Sequence, residues 1–212
     1  LEILQLLNEG LQKGDVELVR RLTEQAIAGQ VGAKKILDDG LIAGMTIVGD
    51  KFKRHEIFLP DVLLAAKAMH AGLDLLRPLL VSDNVQMMGK IVIGTVQGDL
   101  HDIGKSLVGI MLEGAGFEVI DLGRDVAPER FLEAAEESKA GVIGMSALLT
   151  TTMPAMKRTI DLAKTRKIRD DFKIIVGGAP LSDEYASEIG ADAYCFDAVN
   201  AVDRVRRFLG ID

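Results

Sequence analysis

The sequence predicts an α/β protein in two parts: a helical bundle over 1–88, then a five-stranded parallel sheet with covering helices over 89–212. Three observations carry this. Apolar residues repeat with a helical period up to about residue 80. From Lys90 onward, short β-rich runs alternate with helical ones. Between the two patterns lies VSDNVQMMGK, which reads as a linker.

The first segment, LEILQLLNEG, has the spacing of an amphipathic helix, not of a signal peptide. Helical stripes follow at Val16, Val19, Leu22 and Ala26, at Leu41, Met45, Val48 and Phe52, and at Val62, Ala66, Met69, Leu73 and Leu76. Pro60 and Asp61 suit the first turn of the last helix, because proline there loses only an amide that is unpaired anyway. Pro78 disfavours helical backbone at Arg77, so this helix is expected to end there. Strands are expected at KIVIGTV, FEVIDLG, GVIGMSA, FKIIVGG and ADAYCF, and helices near 103–115, 127–138, 152–166, 182–189 and 199–209. Strands separated by helices form parallel pairs with right-handed crossovers, and nearly continuous apolar strands fit a sheet covered on both faces.

Composition narrows the function classes. With 25 basic and 32 acidic residues the net charge is −7, which suits neither nucleic acid nor an anionic membrane. No apolar run reaches the roughly 18 residues of a membrane span, and a cytoplasmic protein is expected. The single cysteine, Cys195, sits in a strand-like setting and reads as a buried, inert thiol. One cysteine and three histidines do not make a zinc site of the usual kind.

In such a sheet, ligands bind beyond the carboxyl ends of the strands, where strand order reverses. The loop after the first strand carries Asp99, His101, Asp102 and Gly104. The loop after the third carries SALLTTT, Ser146 to Thr152, and the loop after the fourth carries Gly177 and Gly178. Neither G-x-G-x-x-G nor a P-loop spacing occurs at the first strand-to-helix turn. A carboxylate two residues before a histidine can take one imidazole N–H, fixing the tautomer and strengthening the other nitrogen as a donor. One imidazole does not hold a bare ion, but it can supply an axial position to a metal held by a macrocycle. His55 and His70 belong to no motif and are expected at the surface or in helices.

The pattern Asp99-x-His101-x-x-Gly104, then 41 residues, Ser146-x-Leu148, then 28 residues, and Gly177-Gly178 resembles the cobalamin-binding signature of methionine synthase and the corrinoid methyl-carrier proteins. The stretch GMTIVGDKFKRHEIFLPDVLLAAKAM is similar to the helical cap that precedes the corrinoid domain in those proteins. The resemblance thus spans essentially the whole chain, and it implies a cap followed by a flavodoxin-like (Rossmann-like) cobalamin-binding domain. It implies that His101 is the lower ligand of cobalt, that Asp99 accepts its N–H, and that Thr152 stands where the family's relay has a serine. It further implies cofactor contacts at Asp102 and Gly104, hydrogen bonds from Ser146 and Thr150 around the displaced nucleotide tail, and a tail channel shaped by Leu148, Gly177 and Gly178. Phe52 and Leu59 align with the apolar pair that shields the methyl-bearing upper face.

What the resemblance implies for function is a carrier cycling between cob(I)alamin and methylcobalamin. Its partners would be a substrate:corrinoid methyltransferase, a corrinoid:acceptor methyltransferase delivering to tetrahydrofolate or a thiol, and a reductive activator for cob(II). Methanol, methylamines, glycine betaine and methoxylated aromatics are all candidate donors. The chain is expected to be inert alone, since cap and corrinoid domain leave no room for a donor site. A mutase subunit using adenosylcobalamin is the first alternative, disfavoured because an adenosyl group would conflict with Phe52 and Leu59. A cobalamin-based sensor is the second, disfavoured by the absence of tryptophan and of a basic DNA-binding module.

Overall fold

The computed structural model describes residues 2–83, 85 and 87–211. The chain divides into two compact units, one of Leu1–Met87 with Gly114–Gly116, the other of Met88–Glu113 with Phe117–Asp212. Among the described residues no helix is long and apolar enough to cross a membrane.

The first unit is helical throughout. Helices α1 (Glu2–Gln12) and α2 (Val16–Ala28) are separated by a turn at Gly14, and the Asp15 carboxylate caps α2 by accepting the Leu18 N–H at 3.0 Å. A short α3 (Ala33–Lys35) runs into a π-helical turn, Ile36–Ile42, and on into α4 (Ala43–Lys53). The π turn shifts the helical phase, which hides it from a search at a period of 3.6. Within it Gly40 lets α1 approach, since a Cβ there would collide with the Leu7 side chain. Helix α5 (Leu59–Ser82) begins with Asp61 accepting the Phe58 N–H at 2.9 Å, with Pro60 in its first turn.

The expected end of α5 at Arg77 is wrong: the helix continues through Pro78 to Ser82. Proline costs this helix the bond to the Asp74 carbonyl, but Pro78 and Asp74 are both exposed, so water can satisfy the carbonyl. Leu76 and Leu80, buried on the opposite face, carry the helix past the break. Val81 and Ser82, which open the expected linker, are therefore helical, while Asn84 and Gln86 within it lie outside the described residues.

The second unit has five parallel strands in the order β2-β1-β3-β4-β5: β1 (Lys90–Thr95), β2 (Glu118–Asp121), β3 (Val142–Ser146), β4 (Lys173–Gly177) and β5 (Ala193–Tyr194). The five expected strands are these, with β5 cut to two residues. The helices are α6 (Ile103–Gly114), α7 (Pro128–Ser138), α8 (Pro154–Arg166), α9 (Asp183–Ile189) and α10 (Ala198–Phe208). One face of the sheet buries Val92, Ile143, Ile174 and Val176 against α7, α8 and α9, with Phe131, Leu132, Met156 and Ile160 in the same cluster. The opposite face is met by α6, where a Cβ at Gly109 would come within 2.8 Å of Ile93 Cδ1.

Strand β1 lies between β2 and β3: the chain passes from β1 to β2 on one side and then crosses to β3 on the other, so strand order reverses at the carboxyl end of β1, where such sheets form a ligand crevice. Register then sets the rim of that crevice. Thr95 pairs with Ser146, and Ser146 with Gly177, so the three loops start from one row. Gly178 closes the row at φ +139°, where a Cβ would collide with the Ala147 carbonyl oxygen. Replacing it with alanine combines steric overlap with a backbone region that L-residues avoid. Gly178→Ala is expected to lower stability by about 2–4 kcal/mol, read from the midpoint of urea unfolding. A midpoint equal to wild type would show that the loop ends need not approach so closely.

Candidate cofactor-binding site

The loop leaving β1 turns at VQGD. The Asp99 N–H donates to the Val96 carbonyl at 3.0 Å, and Gly98, at φ +85°, supplies the left-handed third position. This turn drives Asp99 inward until its side chain is fully buried. A buried carboxylate needs donors, and Asp99 has them from two loops. One oxygen accepts the His101 backbone N–H at 3.0 Å and lies 2.7 Å from His101 Nδ1. The other accepts the Thr152 hydroxyl at 2.7 Å and the backbone N–H groups of Leu148 and Leu149 at 2.8 and 3.3 Å.

Burial by itself raises the Asp99 pKa, but the Thr152 hydroxyl, the His101 and Leu148 amides and the His101 ring together outweigh it. The carboxyl is held well below the usual carboxylate range. Asp99 is therefore an acceptor towards every neighbour, and Nδ1 carries the proton facing it. In the neutral ring this tautomer makes His101 Nε2 the nitrogen able to donate its lone pair to a ligand. The imidazole is half exposed, and the Thr95 hydroxyl, donating to the His101 carbonyl at 3.0 Å, holds the backbone behind it.

The other expected residues divide into those that join this cluster and those that do not. Thr152 joins it, and its added methyl does not keep the hydroxyl from Asp99. Leu148 joins through its amide, while its side chain is exposed. Ser146 ends β3 half-buried and accepts the Val96 N–H on its carbonyl at 3.0 Å. Thr150 is exposed on the same loop. Asp102 stands apart from Asp99, in an exposed pair with Arg124 at 3.7 Å. Gly104 opens the first turn of α6 with nothing within 4 Å of where a Cβ would stand. Gly177 lies in the row described above. Phe52 in α4 and Leu59 at the start of α5 are half-buried in the helical unit.

Several contributors went unseen in the sequence. Lys105, buried in α6, is clasped by both oxygens of Asp121, which also accepts the Gly123 N–H at 2.8 Å. Asp125 accepts the Gly98 N–H at 2.7 Å and donates its own N–H to the Asp99 carbonyl at 3.1 Å. The segment DLGRDV, which starts at the last residue of β2, offers alternating charge that marks only a solvated loop until the contacts are known. Cys195 is buried, and loss of hydration pushes its thiol up to about 12, so it is inert.

A macrocycle fits this rim better than a bare ion does. Among the described residues no three His, Cys, Asp or Glu side chains are arranged to hold a metal. A single imidazole nitrogen is presented instead, beside the open space at Gly104, and the exposed side chains Leu100, Ile103, Leu148 and Leu149 make the surrounding loops apolar.

The comparisons with known proteins agree with that chemistry. Residues 89–206 match a family model described as a B12 binding domain, and residues 3–77 match a second model with the same description. A corrinoid protein of Desulfitobacterium hafniense is 41% identical over 99% of both chains. A dimethylamine corrinoid protein of Methanosarcina barkeri is 44% identical over 98% of both. The chain belongs to the corrinoid protein family. Its cofactor is cobalamin. Among solved structures, the methanol:cobalamin methyltransferase complex of Methanosarcina barkeri aligns with TM-score 0.90 at 28% identity, covering 99% of this corrinoid protein and 80% of that chain. A cobalamin-binding protein from Desulfitobacterium hafniense aligns with TM-score 0.77 at 31% identity, over 97% and 98% of the two chains.

The depressed Asp99 pKa makes the stability of this corrinoid protein depend on pH in one direction. A carboxyl whose folded pKa lies below its unfolded value, about 3.9, stabilises the fold fully above that value. The contribution is lost as pH falls from there towards the folded pKa. Asp99→Asn turns one acceptor oxygen into a donor facing N–H groups and is expected to cost about 1.5–3 kcal/mol at neutral pH. The gap to wild type should stay flat above about pH 5 and narrow below about pH 4, as followed by urea unfolding of the apo-protein across pH. A gap that widened on acidification would contradict the assigned ionisation.

Proposed function

We propose that this corrinoid protein carries a methyl group on cobalt between a substrate-specific methyltransferase and a second methyltransferase. The observation that carries the reading is the chain from Thr152 through buried Asp99 to His101, ending in one exposed imidazole nitrogen. Bound cobalamin supplies the cobalt on which the methyl group rides; the rest is the work of the polypeptide. His101 would hold the cobalt through Nε2, in place of the cofactor's own base. Asp99 keeps Nδ1 protonated and the ring oriented, and Thr152 holds Asp99 from the far side, so a proton shared along this chain tunes how firmly the imidazole binds.

Asp102 and Gly104 flank the face that receives the corrin, and the missing side chain at Gly104 leaves room for it. Ser146 and Thr150 would bond the displaced nucleotide tail, and Leu148, Gly177 and Gly178 would shape its channel. In this reading residues 1–88 are the cap and 89–212 the cofactor domain. Phe52 and Leu59, half-buried in the helical unit, would be the apolar pair that keeps water from the methyl group.

The partners are a substrate:corrinoid methyltransferase, an acceptor methyltransferase serving tetrahydrofolate or a thiol, and a reductive activator that restores oxidised cobalt. A solved relative is part of a methanol:cobalamin methyltransferase complex, which supports docking of this kind. Relatives named for dimethylamine put methylated amines first among the donors. A cytoplasmic setting goes with this reading.

The reading is tested with protein reconstituted with cobalamin. In the cob(II) state, electron paramagnetic resonance should show nitrogen coupling that changes when histidine is labelled with nitrogen-15, and His101→Ala should lose it. The reduced holo-protein should be methylated, as followed by absorption, only when a donor and its methyltransferase are both present. Saturable turnover by the protein alone would overturn the carrier reading, and adenosyl-dependent rearrangement with a partner would favour a mutase subunit.

A further inference from the structure

We propose that Asp125 is a positioning residue for the axial histidine: from the loop after β2 it grips the Gly98–Asp99 backbone and sets where the Asp99 carboxylate, and through it the His101 ring, is held. The inference rests on the axial role proposed for His101.

Two hydrogen bonds make the grip, and they run in opposite senses. Asp125 accepts the Gly98 N–H on its side chain at 2.7 Å, and its own N–H donates to the Asp99 carbonyl at 3.1 Å. The residues held are those of the turn that points Asp99 inward. A shift of this turn would move the Asp99 oxygen that lies 2.7 Å from His101 Nδ1.

Asp125 adopts φ +54°, a left-handed conformation that L-residues other than Asn and Asp rarely accept. Helix capping does not explain it, because α7 starts after Ala127, which makes no side-chain cap bond. The left-handed backbone allows one residue to offer its N–H and its carboxylate to the same turn.

The loop that carries Asp125 is itself anchored to Thr95, the last residue of the strand that leads into the Asp99 turn. The Thr95 N–H donates to the Gly123 carbonyl at 2.9 Å and the Val126 N–H to the Thr95 carbonyl at 3.0 Å, on either side of Asp125. Arg124 pairs with Asp102, and Asp121 with buried Lys105, so contacts from the same segment reach the residues just beyond His101. Of these groups Asp125 alone bonds the backbone of Asp99.

The test compares wild type, Asp125→Gly and Asp125→Asn, with His101→Ala as a control. Glycine accepts the left-handed backbone, so its effect is the loss of the side-chain bond and not strain. Asparagine keeps both an acceptor oxygen and tolerance of that backbone. In apo-protein, Asp125→Gly should speed exchange of the Gly98 amide about five- to tenfold. Reconstituted with cobalamin, it should show a mixture of histidine-bound and histidine-free cob(II) by nitrogen coupling, and a shifted cob(II)/cob(I) midpoint. Asp125→Asn should match wild type in all three. Should the glycine variant not fold, Asp125→Ser, whose hydroxyl is one bond shorter than the carboxylate and which adds the strain of the left-handed backbone, should show the same mixture and shift, and a wild-type pattern in it would overturn the proposal.

A wild-type coupling pattern and midpoint in Asp125→Gly would overturn the proposal, as would an asparagine variant behaving like the glycine one. If His101→Ala itself kept the coupling, the axial reading would fall and this inference with it. Loss in His101→Ala together with no change in Asp125→Gly would remove only the inference about Asp125.

Discussion

Burying the Asp99 carboxylate is the constraint from which the rest of the site follows. An ionised carboxylate in the interior is tolerated only when its oxygens are supplied with donors. Here the donors are backbone and side-chain groups of two loops separated by about fifty residues of chain. Satisfying the charge therefore draws the loops after β1 and β3 together. His101 is one of the donors, so its orientation comes with the burial of its neighbour. The exposed nitrogen is the outer end of an arrangement whose inner end is anchored at Thr152.

That arrangement needs a sheet whose strands end level. The pairing of Thr95 with Ser146 and of Ser146 with Gly177 provides it, and a slip of one residue would turn alternate side chains to the opposite face. The buried aliphatic residues Val92, Ile143 and Ile174 hold the register from beneath. Two glycines fit the loops above, Gly98 by its left-handed backbone in the turn and Gly178 by its close approach to the Ala147 carbonyl. Core packing thus acts on the site at one remove: it fixes strand ends, which fix loops, which fix one carboxylate.

Beyond the relay the rim also carries large apolar side chains. Leu100, Ile103, Leu148 and Leu149 are exposed there, an arrangement costly for a surface that meets only water and suited to one covered by a large apolar ring. Under the carrier reading proposed above, the reactivity would belong to cobalamin, and the polypeptide would contribute a ligand, a shaped surface and control of a proton.

Much of this was legible from one sequence. Helical and strand periods reveal the two parts, because a face that must be buried repeats with the geometry of its element. The spacing of Asp99, His101, Ser146 and Gly177 reveals the family, because chemistry that needs several loops of one fold keeps the lengths between them. Local rules failed where tertiary context outweighed them. Pro78 is tolerated because its lost hydrogen bond faces solvent while Leu76 and Leu80 are buried, and the π turn at Ile36–Ile42 breaks the period by which helices are found. Asp125, Lys105 and the Leu148 amide act through contacts between segments distant in sequence, and such contacts leave no local pattern. The sequence by itself determined which elements form and which residue types reach the rim. Only the tertiary structure decided which oxygen of Asp99 meets which donor, because that depends on strand register and backbone handedness, to which no single segment commits alone.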